Sequence, residues 1–311
     1  MPLRLLHAVP PPNRRMLIES MAVFIVLFVA SAQATGVDLR GLWVPAAIAQ
    51  GFWFQRLYVV GHEAAHRRLA STARLNDALG QLALLPILVP VNVFRAIHRF
   101  HHRANRLHAN SAALDVYVVS PHAGRIRRAV PWVLWYLAVF CGGWFVHGLV
   151  SVVLFLFVPP RFARHISPAF AGWTGSDQRR AVGGFALGLA LHVAVYTGLG
   201  PTSWWACLGV PLLVFAWVYS LQLYAYHYRT TMGPAVRFHV RSVRASRLTR
   251  WWLLELPSHA THHGQPGLPW YELRLHKTPL PPAHKANENV DTWIGAVAQQ
   301  ILGPTIVESQ P

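Results

Sequence analysis

The sequence predicts an all-α integral membrane protein with about four transmembrane helices, additional re-entrant or interfacial segments, and a cytoplasmic cap rich in histidine. Three observations support this fold class. Hydrophobic residues make up 53% of the 311 residues and charged residues only 13%, and the mean hydropathy is +0.31. Several apolar segments approach the roughly 20 residues that a helix needs to cross the hydrocarbon core. The 13 Trp residues suit the lipid–water interface, where indole rings accumulate.

The first predicted helix pair consists of Met16–Ala34 and Leu42–Val60. Arginines flank the pair on both sides: Arg14 and Arg15 precede it, and Arg67, Arg68 and Arg74 follow it. By the positive-inside rule both flanks are cytoplasmic, and the N-terminus is therefore cytoplasmic too. A cleaved signal peptide fits poorly, because a second long apolar segment follows at once.

Two later apolar segments are predicted to enter the membrane and return to the same side. Ala78–Phe94 contains Pro86 and Pro90, and it connects two histidine motifs that must lie on one side if they share metal. Val130–Val158 has arginines both before and after it, so a single crossing would place cations on both sides. We predict its turn at Gly142–Gly143.

Val182–Leu199 and Ser203–Tyr224 form the second predicted crossing pair, with an uncharged link at 200–202 on the far side. The following tail is more polar and ends in a predicted amphipathic helix, Val290–Leu302; the C-terminus is predicted to be cytoplasmic. We expect one domain, 1–311, in four parts: the first helix pair (16–60), the first two histidine motifs (61–128), membrane segments (129–224), and the third motif with the cytoplasmic cap (225–311).

The formal net charge of +17 would suggest nucleic acid as a partner of a soluble protein. Here the arginines lie mostly between apolar segments, where membrane topology explains them, and we expect no nucleic-acid binding. Cys141 and Cys207 both lie in apolar segments. Two cysteines exclude a site with four Cys ligands and indicate no disulfide framework.

Three short motifs contain eight histidines: HEAAH at His62–His66, HRFHH at His98–His102 and HATHH at His259–His263. The spacing of i, i+3 or i+4 places the histidines of each motif on one face of a helix. Three such motifs, separated by long apolar segments, are typical of ligands that gather around metal. Neutral imidazole binds Fe, Zn, Cu and Ni, so the residue type alone does not select the metal.

Other metal chemistries fit less well. HEAAH matches the zinc-protease pattern, with Glu63 as general base. The extended form of that pattern is absent, however, since Leu69 occupies the position of its Gly, and six histidines would be left without a role. A carboxylate di-iron site needs two Glu-x-x-His motifs, but the chain has one, and only 11 carboxylates in total. A metal transporter should place ionisable residues near the membrane midplane, whereas the motifs here lie at segment ends.

Isolated histidines are better explained without metal. We interpret His7, His165 and His284 as interfacial polar residues. His108 and His122, which follow the second motif, are weaker candidates for metal ligands and are more simply explained as interfacial. His147 and His192 lie within apolar segments, where an ionisable residue raises a functional hypothesis. A hydrogen bond between helices is nevertheless the simpler role for both.

The order and spacing of the three motifs resemble the membrane fatty acid desaturase superfamily, which includes membrane hydroxylases and carotenoid ketolases. The likeness extends from about Gly61 to His276. It includes LNDALG at Leu75–Gly80, after the first motif, and GLPWYEL at Gly267–Leu273, which is similar to the segment after the third motif in that family. These motifs are specific for the superfamily and weakly specific for the substrate.

The resemblance implies two non-haem iron ions held by the three motifs and one further histidine, for which His227 is the best match. The implied ligands, which are also the implied catalytic residues, are His62, His66, His98, His101, His102, His227, His259, His262 and His263. Asp115 is a candidate for orienting one of these rings. Many bacterial members have Asn four residues before the third motif, where this chain has Glu255. That carboxylate could reach iron, but an ion pair with the Arg244–Arg250 segment is the simpler role.

The resemblance implies oxidation of an unactivated C–H bond in a lipid, with O₂ as co-substrate. Fatty acyl desaturation is the expected reaction, and the alternative is hydroxylation or ketolation of a carotenoid, sterol or specialised lipid. The chain contains no haem-binding signature, dinucleotide fingerprint or cysteine cluster. We therefore expect a separate ferredoxin-like electron donor with its reductase.

Overall fold

The computed structural model describes residues 8–36, 41, 43–108, 113–234, 238–276 and 282–309. The chain divides into two units. The first unit comprises Met1–His98 and His147–Val218, and the second comprises Arg99–Val146 and Tyr219–Pro311. Each unit is assembled from two separate stretches of chain. A single domain over the whole chain stays a prediction.

Helices dominate the first unit. Its helices are α1 (Pro11–Gly36), α2 (Trp43–Ala65), α3 (Ala73–Leu84), α4 (Val91–Ala104), α6 (Gly143–Phe157), α7 (Pro160–Ile166), α8 (Gly175–Trp204) and α9 (Val210–Leu223), of which α4, α6 and α9 extend into stretches assigned to the second unit. Short 3₁₀ turns at Leu85–Ile87 and Pro168–Phe170 and a π-helical turn at Trp205–Gly209 connect some of them.

The second unit contains shorter elements. Its helices and strands are β1 (Val116–Val119), α5 (Arg125–Phe140), α10 (Arg247–Trp252), α11 (His259–Gly264), α12 (Trp293–Gln299) and β2 (Thr305–Glu308). The predicted C-terminal helix is confirmed as α12, which continues as a 3₁₀ turn to Leu302. The two strands pair in parallel, with Val116 opposite Thr305 and Val119 opposite Glu308. Sequence patterns did not predict this pairing.

The described residues confirm an all-α membrane protein, apart from that strand pair. Two helical runs are long and apolar enough to cross a membrane: α1, and the run Gly175–Leu223. Two bent pairs raise the total to four if each pair counts as one span. The pairs are Ala73–Ile87 with Val91–Ala104, bent by 96°, and Arg125–Phe140 with Gly143–Phe157, bent by 87°. These bends fall in the two segments that were predicted to dip into the membrane and return.

The predicted link at 200–202 coincides with a break in the run Gly175–Leu223. Gly200 has φ +84° and interrupts the helical backbone. The indole nitrogen of Trp204 donates to His192 Nδ1 at 3.3 Å, although twelve residues separate them. In a straight helix they would be about 18 Å apart along the axis. The chain therefore turns back at Gly200, as the sequence predicted.

Helix α2 covers the predicted second crossing from Trp43 onward; Leu42 lies outside the described residues. This helix is not among the candidate spans, because Gln50, Gln55 and Arg56 lower its hydropathy. All three side chains are buried in the first unit. Arg56 bonds to Ser20 Oγ on α1 and lies 3.6 Å from the Glu19 carboxylate. A membrane crossing by α2 therefore stays a prediction.

Candidate metal centre

Histidines of the first two motifs meet in the first unit. His62 and His66 lie one turn apart near the end of α2, and His98 lies on α4. The Nε2 atoms of His66 and His98 are 2.8 Å apart. The His62 ring centroid lies 4.9 Å from that of His66 and 4.5 Å from that of His98. One ring nitrogen from each residue lies within 4.8 Å of the other two.

Polar side chains hold the end of α2 where the first motif lies. Asn76 donates to the Ala64 carbonyl at 2.9 Å and accepts from the Leu69 amide at 3.0 Å. The buried guanidinium of Arg95 donates to the carbonyls of Ala64 and Ala65 at 2.9 and 3.1 Å. Carbonyls in the last turn of a helix have no intrahelical partner, so these bonds fix the helix end.

The LNDALG segment supplies most of this support. The Asp77 carboxylate pairs with Arg95 at 2.5 Å. Gly80 allows α3 to approach α2 closely, because a Cβ at this position would overlap the Cβ of Ala64. The segment that carries the family resemblance therefore holds the first histidine motif in place.

A second cluster lies within the second unit. His101 on α4, His227, and His259 and His263 on α11 each place one ring nitrogen within 4.8 Å of the other three. The Nε2 atom of His227 lies 3.1 Å from that of His101 and 3.2 Å from that of His259. The predicted extra histidine therefore joins the third motif and part of the second.

The backbone of His239 sets the tautomer of His227. The Nδ1 atom of His227 lies 2.8 Å from the His239 carbonyl and 2.8 Å from the side-chain amide of Asn105. The carbonyl can only accept, so its contact is a hydrogen bond when Nδ1 carries the proton. The Nε2 atom then directs its lone pair towards His101 and His259, as a metal ligand requires. The same carbonyl accepts from Asn105 at 3.1 Å and from Thr230 at 3.0 Å. Asn105 and the His239 backbone were not predicted from the sequence.

The remaining pair, His102 and His262, also lies in the second unit. Their Nε2 atoms are 3.0 Å apart. The ring of His102 stacks on that of His263 with centroids 4.1 Å apart. Each of the nine predicted ligands therefore lies beside at least one other.

Burial keeps three of these imidazoles neutral. It lowers the pKa of His62 to about 3. It also lowers the pKa of His227 and His263 well below the usual value, and neighbouring histidines add to both shifts. Protonation is unfavourable here because a charged ring would lose its hydration. Neutral imidazole is the protonation state that binds metal.

The donor set fits a metal ion. Within the described residues, the buried Nε2 of His263 has no hydrogen-bond partner. Leaving such an atom unsatisfied costs about 1–3 kcal/mol. Coordination of a metal ion by this atom would remove that cost. One ring nitrogen from each of the other three histidines of the cluster lies within 4.8 Å, close enough to bind the same ion. An all-imidazole set is compatible with iron and with several other transition metals.

Two residues predicted near the metal have other contacts. Asp115 is fully buried, but its carboxylate bonds to Arg106 and to the Arg229 amide rather than to a histidine ring. Glu255 lies 3.6 Å from Arg250, which supports the ion-pair interpretation. Asp115 can influence His227 only indirectly, through the chain that Arg106 holds.

The isolated histidines divide into three groups. His108, His122, His147 and His165 are exposed, and His192 bonds to the Pro86 carbonyl at 3.0 Å, as expected for a contact between helices. The interfacial interpretation of His284 is wrong, because it is buried beside the backbone of Phe238 and Val240. His7 lies outside the described residues.

The fold and the histidine clusters together define a class, namely membrane proteins that can bind metal through histidine side chains. Comparison with known proteins narrows this class. The fatty acid desaturase family model matches residues 40–291, and the chain belongs to that family.

Individual relatives are distant. The chain is 25% identical to a chloroplastic omega-3 fatty acid desaturase of Glycine max, over 80% of this chain and 56% of the relative. It is 26% identical to an endoplasmic reticulum omega-3 fatty acid desaturase of Vigna radiata var. radiata, over 80% and 67%. A sn-1 acyl-lipid omega-3 desaturase (ferredoxin) of Nostoc sp. (strain 36) is 43% identical over 56 residues, which is 18% of this chain and 16% of the relative. The chain thus spans little more than half the length of the Glycine max protein.

Proposed function

We propose that this protein is an O₂-dependent di-iron oxidase of an unactivated C–H bond in a lipid, and that it desaturates a fatty acyl chain. The observation that carries the proposal is the meeting of His101, His227, His259 and His263 around one point of the second unit. Family membership and two relatives named omega-3 fatty acid desaturases support it.

The nine clustered histidines are the proposed ligands of two iron ions. His62, His66 and His98 would contribute to one shell, and the four-histidine cluster of the second unit would form the core of the other. His102 and His262 are the remaining proposed ligands. Bound iron would supply O₂ activation and hydrogen abstraction from an unactivated CH₂ group, a reaction that no amino-acid side chain performs.

The protein residues have three tasks in this proposal. The His239 carbonyl holds the protonated Nδ1 of His227, so that Nε2 remains available. Burial keeps the rings neutral and excludes bulk water from the reacting groups. Asn76 and Arg95 fix the end of α2, and therefore the positions of His62 and His66.

The proposed reaction balances with two external electrons. Two adjacent CH₂ groups each lose one hydrogen atom and a C=C bond forms. O₂, two protons and two further electrons complete the formation of two water molecules. We propose that the electrons come from a separate ferredoxin-like protein and its reductase, which the name of the Nostoc relative supports.

We also propose a multi-pass topology with the histidine motifs and both termini in the cytoplasm. The arginines on either side of the first helix pair support this orientation by the positive-inside rule. The turn at Gly200, in an uncharged link, supports a second hairpin that reaches the far side.

The alternatives have less support. Glu255 replaces the Asn of many bacterial members, and its carboxylate lies beside Arg250. A zinc protease needs Glu63 to activate a water, but this residue is buried beside His62. Hydroxylation or ketolation shares the hydrogen abstraction and differs afterwards, so the product distinguishes it.

The proposal is tested by lipid mass spectrometry of cells that express the protein together with a matched ferredoxin and its reductase. We expect an acyl chain that has lost two hydrogen atoms, absent from cells expressing His101→Ala. An acyl chain that has gained one oxygen atom would assign hydroxylation instead. Purified protein that binds no iron would contradict the di-iron proposal.

A further inference from the structure

We propose that Trp252, Trp293 and Tyr226 form an electron path from the surface of the second unit to His259. This inference rests on the proposed function, since it requires iron at His259. It concerns how electrons reach the iron, which the histidine motifs do not address.

Two ring contacts and one packing contact connect the four residues in series. The Trp252 and Trp293 ring centroids are 6.3 Å apart, at an angle of 84°. The Trp293 side chain packs against the apolar cluster that contains Tyr226. The Tyr226 ring stacks on the imidazole of His259, with centroids 4.5 Å apart at 30°.

Burial increases along this series. Trp252 and Trp293 are half-buried, whereas Tyr226 is 2% exposed and His259 is 5% exposed. The path therefore begins where another protein can approach and ends on a proposed iron ligand. Conjugated rings couple donor and acceptor orbitals better than saturated side chains of the same length, so this series is a favourable tunnelling medium.

The outer end of the path lies on a cationic segment. Trp252 is the last residue of α10, which also contains the exposed Arg247 and the half-buried Arg250. Trp251, beside it, is 42% exposed. Arg244, 80% exposed, lies just before this helix and forms a loose pair with Asp291 at 3.4 Å. Arg250 pairs with Glu255 at 3.6 Å, so Arg247 gives these residues their net positive charge. A positive surface favours encounter with an acidic partner.

The electron transfer itself is simple. One electron would leave a reduced, acidic iron–sulfur protein, and a ferric ion held at His259 would become ferrous. The aromatic rings mediate tunnelling without being oxidised, and no bond forms or breaks along the path. Two such events per turnover supply the two external electrons of the proposed reaction.

A second aromatic series in the same unit provides a control. Trp144 contacts Trp135 at 6.5 Å, and Trp135 stacks on Tyr228 at 5.3 Å. The Tyr228 hydroxyl donates to the Gly303 carbonyl at 2.6 Å. This series approaches a proposed ligand through packing with Tyr224, whose ring centroid lies 5.7 Å from that of His227, rather than by stacking on it. Trp144 is half-buried, as Trp293 is, so substitution by Leu perturbs packing to a similar extent at both positions.

The experiment is anaerobic stopped-flow reduction of the full-length, iron-loaded ferric protein, followed by its optical absorption. The reductant is either a reduced plant-type ferredoxin or dithionite with a small viologen mediator. We expect Trp293→Leu and Trp252→Leu to slow reduction by ferredoxin several-fold, with iron content and dithionite reduction unchanged. Trp293→Tyr should restore most of the rate, and Trp144→Leu should behave as wild type.

Unchanged reduction by ferredoxin in both Trp293→Leu and Trp252→Leu would overturn the path. Equal slowing with both reductants, or loss of iron from both variants, would also overturn it, because the rings would then serve packing alone. Failure of the proposed function is a separate result: the wild-type protein would bind no iron, or ferredoxin and dithionite would both fail to reduce it.

Discussion

Replacing Asp115 by Asn would neutralise the carboxylate that pairs with Arg106 inside the second unit. Both side chains are at most 3% exposed. Arg106 would keep three acceptors: the hydroxyl of Tyr224 at 3.1 Å and the carbonyls of Thr230 and Thr231 at 2.8 and 3.1 Å. Breaking a buried pair leaves an uncompensated charge and costs about 3–5 kcal/mol. Because these acceptors remain, we expect the free energy of unfolding to fall by about 3 kcal/mol, the lower end of that range.

The same substitution should weaken metal binding. Arg106 holds the two carbonyls that follow His227 closely in the chain, and the Asp115 carboxylate also accepts from the Arg229 amide at 2.8 Å. Displacing this segment would move His227 away from His101 and His259. Loss of groups that orient a metal ligand typically lowers affinity about 10–100-fold, and we expect D115N to fall in that range.

The assay is iron retention against a graded series of chelator concentrations, combined with thermal unfolding of the metal-free protein. Glu308→Gln is the matched control, because it removes the exposed pair with Arg128 at 3.0 Å in the same unit. An exposed pair contributes about 0–1 kcal/mol, so this variant should resemble wild type in both measurements. Wild-type iron affinity in a destabilised D115N variant would refute the positioning of His227 by Asp115.

Three further predictions concern the histidine clusters and their support. Replacing His101 or His262 separately by Ala should lower both iron content and turnover; full iron content and wild-type turnover in either variant would contradict a shared site. In metal-free protein, the depressed pKa of His62 makes folding less favourable as the pH falls below about 6.5, since only the unfolded state then takes up a proton. Proton uptake by this histidine in the unfolded state should lower the free energy of unfolding by about 2 kcal/mol between pH 7 and pH 5. Equal chemical unfolding midpoints at the two pH values would refute this. Gly80→Ala would force a Cβ against Ala64 and should destabilise the protein by about 1–3 kcal/mol, whereas an unchanged thermal unfolding temperature would contradict the close approach of the two helices.

Features with a local signal could be predicted from the sequence. Histidines at i, i+3 and i+4 share a helix face whatever the tertiary structure, and the nine predicted ligands do lie in clusters. The turns near Gly142 and Gly200 were also predicted, because glycine adopts the positive φ that these breaks require. Local spacing therefore predicted that the motif histidines cluster and where two reversals of the main chain fall, whereas His227 was added by the family resemblance.

Contacts that depend on residues far apart in the chain could not be predicted from the sequence. The His239 carbonyl sets the tautomer of His227, yet a carbonyl belongs to every residue and has no sequence signature. The strands β1 and β2 are four residues each and lie far apart in the chain, so neither shows a clear periodicity. The burial of His284 was also missed, because an isolated histidine in a polar tail resembles a surface residue.

The scarcity of carboxylates gives the proposed site its electrostatic character. Asp77 and Asp115 neutralise the buried arginines Arg95 and Arg106, and Glu255 lies beside Arg250. In the first unit the buried Glu63 carboxylate lies 3.7 Å from His62 Nδ1. The four proposed ligands of the second unit are imidazoles alone, and iron bound there would keep its full charge in a buried environment. Uncompensated charge favours the lower oxidation state, because a ferric ion carries one more charge to bury than a ferrous ion. A site of this composition should hold electrons readily once they arrive, so the rate at which a donor protein delivers them becomes a property that the surrounding chain can control.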